Sequence, residues 1–380
     1  MSTRSILALV LLLLAPAAGA QTGRAPDLKA QIAALSSLDY ATRMNAARQI
    51  RRVAAGEAVP ALTEAAKSHP DEYVRFRALV LLTAFNDRST PAVMRDLLRY
   101  RNDRVREVAY KWFEDHPDRD ITPLLLGALQ TEQAEFVRPA LVGALAALGM
   151  DPQVQRALVA EAPRGLDIFR AAVVDALGRH RATYAVDALI GMVKIDGPLR
   201  DDVMLALGRI GDARAAAALR EAVTEAGELG FGPRAAQCLL AKDCDATITW
   251  LAATATTLRA QATVVAAVAA LRDIGASGRA EVIDPLLDIT AKAETLRDQT
   301  SVALATIAVR HPELTIDWLD RAPAERRAAA VALLKDGFDA LEEEYGKEQF
   351  FAATRASYWK VPEGAPTRSV MAAVIEKLEF

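Results

Sequence analysis

The sequence predicts an all-α protein, an α-solenoid of about ten stacked helix pairs. Alanine, the strongest helix former, supplies 78 of the 380 residues, whereas aromatic residues make up only 6%. An arginine also recurs about every 31 residues, and the apolar residues around it follow a helical period. Because one short helix pair cannot bury its own apolar face, such repeated pairs must stack on one another.

The first twenty residues have the three parts of a secretory signal peptide. Arg4 precedes an apolar run at residues 6–14, and Ala18-Gly19-Ala20 follows. The run of nine residues is too short to cross a bilayer of about 30 Å, which argues against an uncleaved membrane anchor. We therefore expect a signal peptide at residues 1–20 and an exported protein, periplasmic or secreted.

Each repeat is marked by one anchor residue. The ten anchors are Arg43, Arg75, Arg106, Arg138, Arg170, Arg200, Arg234, Val264, Arg297 and Arg326. An apolar residue follows seven positions after every anchor, from Ile50 in the first repeat to Leu333 in the last. Positions -1, +3, +6 and +7 share one side at 100° per residue, so each anchor is predicted to lie on an amphipathic helix.

Aspartates and glycines predict where these helices begin and end. Asp39, Asp71 and Asp196 each stand four residues before an anchor, where a carboxylate can accept hydrogen bonds from the first helical N–H groups. A set of glycines is predicted to follow helices as left-handed terminal residues. These glycines are Gly149, Gly178, Gly208 and Gly211.

The pattern D-x-x-V-R-x-x-A-x-x-x-L-G, followed by a second helix, resembles the HEAT repeat. It is similar to the short variety seen in phycobilin lyase subunits, and Leu199–Leu219 matches it best within this chain. The resemblance covers roughly residues 30–335. It implies that each anchor arginine lies on the second helix of its unit, is structural, and bonds to a loop aspartate of a neighbouring unit.

The repeat stops after residue 335, which predicts a solenoid at 21–335 and a C-terminal helical cap at 336–380. The cap region is rich in aromatic residues, and Tyr358 and Trp359 are among them. A cap closes the last apolar face of a solenoid. An aromatic ligand pocket is the alternative. The acidic run Glu342–Glu344 is predicted to be a solvated helix face.

Cys238 and Cys244 are the two cysteines of the chain. Export would place them in an oxidising compartment, where a disulfide between them persists. The alternative is two separate thiols, because the sequence does not show that their Cα atoms approach closely enough.

No catalytic motif is visible, and we predict no catalytic, cofactor-binding or metal-binding residues. The four histidines lack the spacing of a metal site. The net charge of -3 argues against nucleic acid as a partner. A basic group in the first repeat, Arg48, Arg51 and Arg52, is predicted to be a solvated helix face, and binding of an anionic envelope polymer is the alternative.

The helical period also predicts which side chains line the concave surface. Offsets +1, +5 and +8 from each anchor point away from the core, and many of them are apolar. The candidate partner-binding residues are Phe76, Val80, Leu205, Leu239, Val265 and Val302. If these side chains are exposed, such an apolar strip would bind a partner helix or an extended peptide. The alternative is that tight curvature buries these side chains between adjacent helices.

The sequence therefore predicts an exported scaffold that binds a protein or peptide partner in the cell envelope through its concave face. An enzyme or enzyme subunit with a ligand site in the C-terminal aromatic region is the alternative. We predict no transmembrane segment after signal cleavage.

The leader generates a first testable prediction. Cleavage after Ala20 should leave a mature chain that begins at Gln21. N-terminal sequencing of the protein purified from the native host checks this. An intact Met1 in a soluble cytosolic fraction would contradict it.

Overall fold

The computed structural model describes residues 27–195, 197–257 and 260–380. The predicted signal peptide at 1–20 and the proposed helix cap Asp196 lie outside these residues. The described chain forms 22 α-helices, joined in places by single 3-10 turns, and contains no β-strand. The α-helices are α1 Leu28–Ala34, α2 Tyr40–Arg51, α3 Ala55–Ser68, α4 Glu72–Thr83, α5 Thr90–Leu97, α6 Asp103–Asp115, α7 Thr122–Thr131, α8 Arg138–Ala147, α9 Pro152–Glu161, α10 Asp167–Arg179, α11 Val186–Met192, α12 Pro198–Ile210, α13 Ala216–Ala226, α14 Phe231–Ala241, α15 Asp245–Thr257, α16 Gln261–Gly275, α17 Ile283–Lys292, α18 Arg297–Arg310, α19 Pro312–Arg321, α20 Ala324–Ala340, α21 Glu344–Lys360 and α22 Pro366–Leu378.

The helices α1 to α20 form ten consecutive pairs, here called units 1 to 10. Within each pair the even-numbered helix carries the anchor predicted from the sequence. The even-numbered helices contact one another in series from α2 to α20 and form the inner layer, while the odd-numbered helices lie outside. The all-α solenoid predicted from the sequence is confirmed.

The predicted aspartate caps begin the inner helices of units 1 and 2. An oxygen of Asp39 accepts the backbone N–H of Thr42 at 2.8 Å, and Asp71 accepts that of Tyr73 at the same distance. Each carboxylate thereby satisfies one of the N–H groups that have no partner within the helix.

The anchor arginines join the two helices of their own unit. Arg43 donates to the carbonyl oxygen of Ser37 at 2.7 Å, and Arg200 donates to that of Val193 at 2.9 Å. These carbonyls lie just after the outer helix, where C=O groups lack helical partners. In unit 10 the neighbouring Arg327 takes this role and donates to Leu319 at 2.8 Å.

Acidic partners from neighbouring units hold several anchors as well. Arg106 pairs with Glu132 of the next unit at 2.7 Å, and Arg326 pairs with Asp284 of the preceding unit at 2.6 Å. The resemblance implied a loop aspartate of a neighbouring unit as the partner, whereas these partners are a loop glutamate and an aspartate within α17. The bonds to backbone carbonyls within the unit are an additional role that it did not imply.

Two of the predicted helix-terminal glycines have a different role. Gly178 and Gly208 lie inside α10 and α12, and only Gly211 has the left-handed backbone, at φ 74°. A Cβ on Gly178 or Gly208 would stand 2.8 Å from the Cα of Ala206 or Ala236 on the next inner helix. The two glycines therefore allow adjacent inner helices to approach closely.

Four phenylalanines of the C-terminal region form a core. Phe338, Phe350, Phe351 and Phe380 are buried against one another, with ring centroids 4.1 to 5.7 Å apart in three of these contacts. Trp359 is 69% exposed. The predicted boundary between residues 335 and 336 falls within α20, so the last inner helix continues into this core.

The close packing of the inner helices leads to a prediction about two glycine-to-alanine substitutions. Gly208→Ala should destabilise the protein by about 1–3 kcal/mol, because the new methyl group overlaps α14. Gly127→Ala in α7 is the control. Nothing lies within 4 Å of its Cβ position, so it should stabilise the protein by about 0.5–1 kcal/mol. Urea unfolding measures both changes, and equal effects would contradict the close approach.

Candidate functional site

The two ends of the solenoid meet through α21. This helix packs against α18 and α19 near the C-terminal end and also against α4 near the N-terminal end. We call its contact with units 1–3 the terminal seam. The seam closes the solenoid into a ring.

A buried ion pair lies at the centre of the terminal seam. Arg51 of α2 and Glu348 of α21 are 297 positions apart, and their side chains are 3% and 1% exposed. Arg51 Nε lies 2.9 Å from Glu348 Oε1, and the guanidinium also stands 5.1 Å from the ring centroid of Phe351. The prediction that Arg51 lies on a solvated face is therefore wrong, because α21 covers it.

Two further acid–base pairs extend the seam to units 2 and 3. Glu344 pairs with Arg77 of α4, and Glu343 pairs with Lys111 of α6 at 2.6 Å. Burial opposes ionisation of Glu343, but the charge and hydrogen bond of Lys111 lower its pKa below the usual value. The acidic run Glu342–Glu344 was predicted to be a solvated face. Two of its three residues instead bind the N-terminal units.

Two hydrogen bonds with uncharged donors complete the seam. The Tyr345 hydroxyl donates to Asp115 Oδ2 at 2.6 Å, and the Gln349 amide donates to Thr83 Oγ1 at 2.8 Å. Burial raises the pKa of Asp115, although the bond from Tyr345 favours the ionised form.

Beside the seam, the inner face of the ring lines an open cavity of about 1050 Å³, here called the inner cavity. Its walls come from units 3 to 10 and from α21. Seven cationic and five acidic residues line it. They are Lys111, Arg179, Arg181, Arg209, Lys242, Arg279 and Arg310, with Glu107, Glu114, Asp115, Asp175 and Glu343. The lining carries more positive than negative charge, although the whole chain is acidic.

Inner helices converge on this cavity with their C-terminal ends. Three arginines in or just before the last turns of α10, α12 and α18 meet at Asp175. Its carboxylate lies 2.8 Å from Arg179, 2.7 Å from Arg209 and 3.5 Å from Arg310. Cations at helix C-termini are favourable because the exposed carbonyl groups there carry partial negative charge.

The pKa values of two groups on the inner helices depart from their usual range. Burial and the neighbouring Arg179 lower the pKa of His180 to about 4, so it is neutral at pH 7, and its Nε2 lies 3.0 Å from Glu114. Burial and the nearby Asp175 raise the pKa of Asp202 to about 6. Protonation of Asp202 therefore removes one negative charge from α12 when the pH falls below about 6.

The predicted apolar strip is not exposed. Phe76 and Val80 are 5% and 1% exposed, and Leu239 is 8% exposed. Leu205, Val265 and Val302 are half-buried. Close packing of adjacent inner helices accounts for this difference, and Val80 lies between Arg77 and Thr83, which both bind α21. Of the six candidate residues, Leu239 lines the inner cavity.

Cys238 and Cys244 form a disulfide in the structure. The bridge joins α14 to the residue just before α15 and so ties unit 7 to unit 8. Cys238 also lines an open groove with Phe231 and Trp250.

In residues 27–195, 197–257 and 260–380, no group of three or more His, Cys, Asp or Glu side chains is arranged to hold a metal ion. None of the described helices combines the length and the apolar character needed to cross a membrane.

Sequence reasoning missed both the seam and the arginines of the inner cavity. Arg179 and Arg209 stand at the same place in the repeated segment Ala-Leu-Gly-Arg, nine residues after their anchors. That repeat could have identified them. Arg51 and Glu348 have no periodic relation, because only the closed ring brings them together.

The central ion pair generates a prediction. Glu348→Ala should destabilise the protein by about 3–5 kcal/mol, because it leaves the Arg51 charge buried without its partner. The control Asp317→Ala removes an exposed pair with Arg321, whose side chains are 65% and 78% exposed, and should cost about 0–1 kcal/mol. Urea unfolding compares the two variants. Equal losses would contradict a buried seam.

Comparison with known proteins identifies the repeats. A family of HEAT repeats matches residues 28–111, and the PBS lyase HEAT-like repeat matches residues 199–225. A search of curated proteins found no match.

Among solved structures, similarity extends over much of the chain at low identity. The complex of CpcE and CpcF of phycocyanin lyase from Nostoc sp. PCC7120 is 19% identical over 70% of this chain and 100% of that chain, with a TM-score of 0.38. Importin beta is 12% identical over 93% of this chain and 55% of that chain, with a TM-score of 0.37. A structure from work on cadherin and beta-catenin is 12% identical over 93% and 94% of the two chains, with a TM-score of 0.32. These low TM-scores carry no assignment. The ten stacked helix pairs show an α-solenoid, and the family matches show HEAT repeats at residues 28–111 and 199–225.

Proposed function

We propose that the protein is an exported HEAT-repeat scaffold that binds a segment of a partner polypeptide in its inner cavity. The observation that carries this proposal is a cavity of about 1050 Å³ at the centre of the ring, with walls drawn from many units. Its volume matches the upper end of ligand pockets, about 300–1,000 Å³.

The chemistry of the walls favours a polar, charged segment as the ligand. Guanidinium and carboxylate groups are interspersed along the walls and can pair with side chains of either sign. Apolar contact comes from a few residues, among them Ile210 and Leu239. The binding surface proposed here is thus this polar cavity and not a continuous apolar strip.

Export is part of the proposal and rests on the tripartite leader at residues 1–20. A disulfide between Cys238 and Cys244 supports it, because such bonds persist in oxidising compartments outside the cytosol.

Binding is favoured over catalysis in the C-terminal aromatic region. Phe338, Phe350 and Phe351 fill a core with their rings in contact. Tyr358 packs against this same core, and the Arg368 guanidinium lies 4.6 and 5.0 Å from the ring centroids of Tyr358 and Trp359. The enzyme alternative requires an enclosed ligand site in this region, and the aromatic side chains described here do not surround one.

Site-specific photo-crosslinking in the native host tests the proposal. A photoreactive amino acid at Arg279, on the cavity wall, should crosslink a defined partner at least tenfold more than one at Arg220, which is exposed on the outer helix α13. Arg310→Glu should abolish the product from position 279, because it reverses a charge of the cavity wall.

Equal crosslinking from the two positions would contradict the cavity as the binding site. Failure of position 279 to yield any partner would contradict the scaffold function itself.

A further inference from the structure

The helix α21 has two contact surfaces of different chemistry. On one side Phe350 and Phe351 are buried in a cluster with Leu304 of α18, Ile316 of α19 and Leu334 of α20. On the other side, which forms the terminal seam, Tyr345 is the residue that joins the apolar core of the N-terminal units.

The seam itself is chiefly polar. Two acidic side chains of α21 and that of Glu343, just before the helix, meet one basic side chain from each of units 1, 2 and 3. The hydrogen bonds from Tyr345 and Gln349 lie between them. The three ion pairs are Glu348 with Arg51, Glu344 with Arg77, and Glu343 with Lys111.

This difference determines where the ring opens. Burial of apolar surface holds α21 firmly against units 9 and 10. Ion pairs at the seam contribute less, because desolvation offsets the attraction of a buried pair and water screens an exposed pair. Opening therefore separates α21 from units 1–3 and leaves it attached to its own C-terminal units.

Every copy of the chain carries both halves of the seam. An opened copy presents Arg51, Arg77 and Lys111 on one end and their acidic partners on the other end. Each molecule thus carries two complementary surfaces. In a closed dimer of two opened copies, α21 of each copy can bind units 1–3 of the other. At low protein concentration, ring closure within one chain is favoured over exchange between two chains, because the chain's own α21 is present at high effective concentration.

We propose that the terminal seam is an exchangeable interaction surface, on which α21 of a second copy of this chain docks against units 1–3 when the ring opens. The docking contacts are those seen within one chain, with the acidic residues of α21 supplied by the second copy. This inference stands independently of the binding function proposed for the inner cavity.

Two full-length charge-reversal variants test the proposal. Arg51→Glu and Glu348→Arg each place like charges at the centre of the seam, so neither can close its own ring or pair with itself. In an equimolar mixture both reciprocal seams are complementary. We expect each variant alone to have the mass of one chain by light scattering, and the mixture to have twice that mass.

The matched control carries both reversals in one chain. The Arg51→Glu, Glu348→Arg double variant restores a complementary seam within the chain, so at the same concentration it should keep the mass of one chain. If either single variant loses its helical circular dichroism, the half-buried pair Lys111→Glu and Glu343→Lys repeats the design at the rim.

A disulfide reports the geometry of the exchanged seam. Thr83→Cys is added to the Arg51→Glu chain and Gln349→Cys to the Glu348→Arg chain, because these two side chains lie 2.8 Å apart across the seam. An interchain disulfide in the mixture supports the proposal. Folded variants whose mixture keeps the mass of one chain, or dimerises without this disulfide, would overturn it.

Discussion

The close approach of neighbouring inner helices is the constraint on which the rest of the structure depends. Gly178 and Gly208 leave no room for a Cβ where Ala206 and Ala236 of the next inner helix pass. The residues at which inner helices meet are small, whereas those that point into the core, such as Leu207, are larger and apolar. The inner helices therefore pack more closely than the outer ones. The solenoid therefore curves tightly enough for α21 to reach both α18 and α4.

Tight curvature has an electrostatic consequence at the centre of the ring. It brings the C-terminal ends of several inner helices together, and each end carries partial negative charge. The last turns supply the compensating cations, and Arg179, Arg209 and Arg310 reach one carboxylate, Asp175. The polar inner cavity is thus a direct result of how the helices are oriented, and its charge is set by the residues that end them.

What the sequence could predict follows from the range of the interactions involved. The ten units, their anchors and the caps Asp39 and Asp71 depend on contacts within one unit, and these leave a periodic trace. Burial of Phe76 and Val80 depends on superhelical curvature and on α21, which the period of a single helix does not contain. The pair Arg51–Glu348 spans 297 positions without any repeat, so no local pattern indicates it. The Ala-Leu-Gly-Arg segments carried a usable signal, because the same packing recurs in units 5 and 6.

Ring closure also changes how stability is distributed along the chain. In an open solenoid each unit contacts only its neighbours, and the end units are the least restrained. Here units 1 to 3 gain contacts from α21, so the first units are held from both sides. The buried Arg51–Glu348 pair adds little net stability, since desolvation of both charges offsets their attraction. It does penalise any other alignment strongly, because a shifted α21 would leave a buried charge without its partner. The seam therefore fixes the register at which the ring closes, while the apolar C-terminal core provides most of the stability of α21.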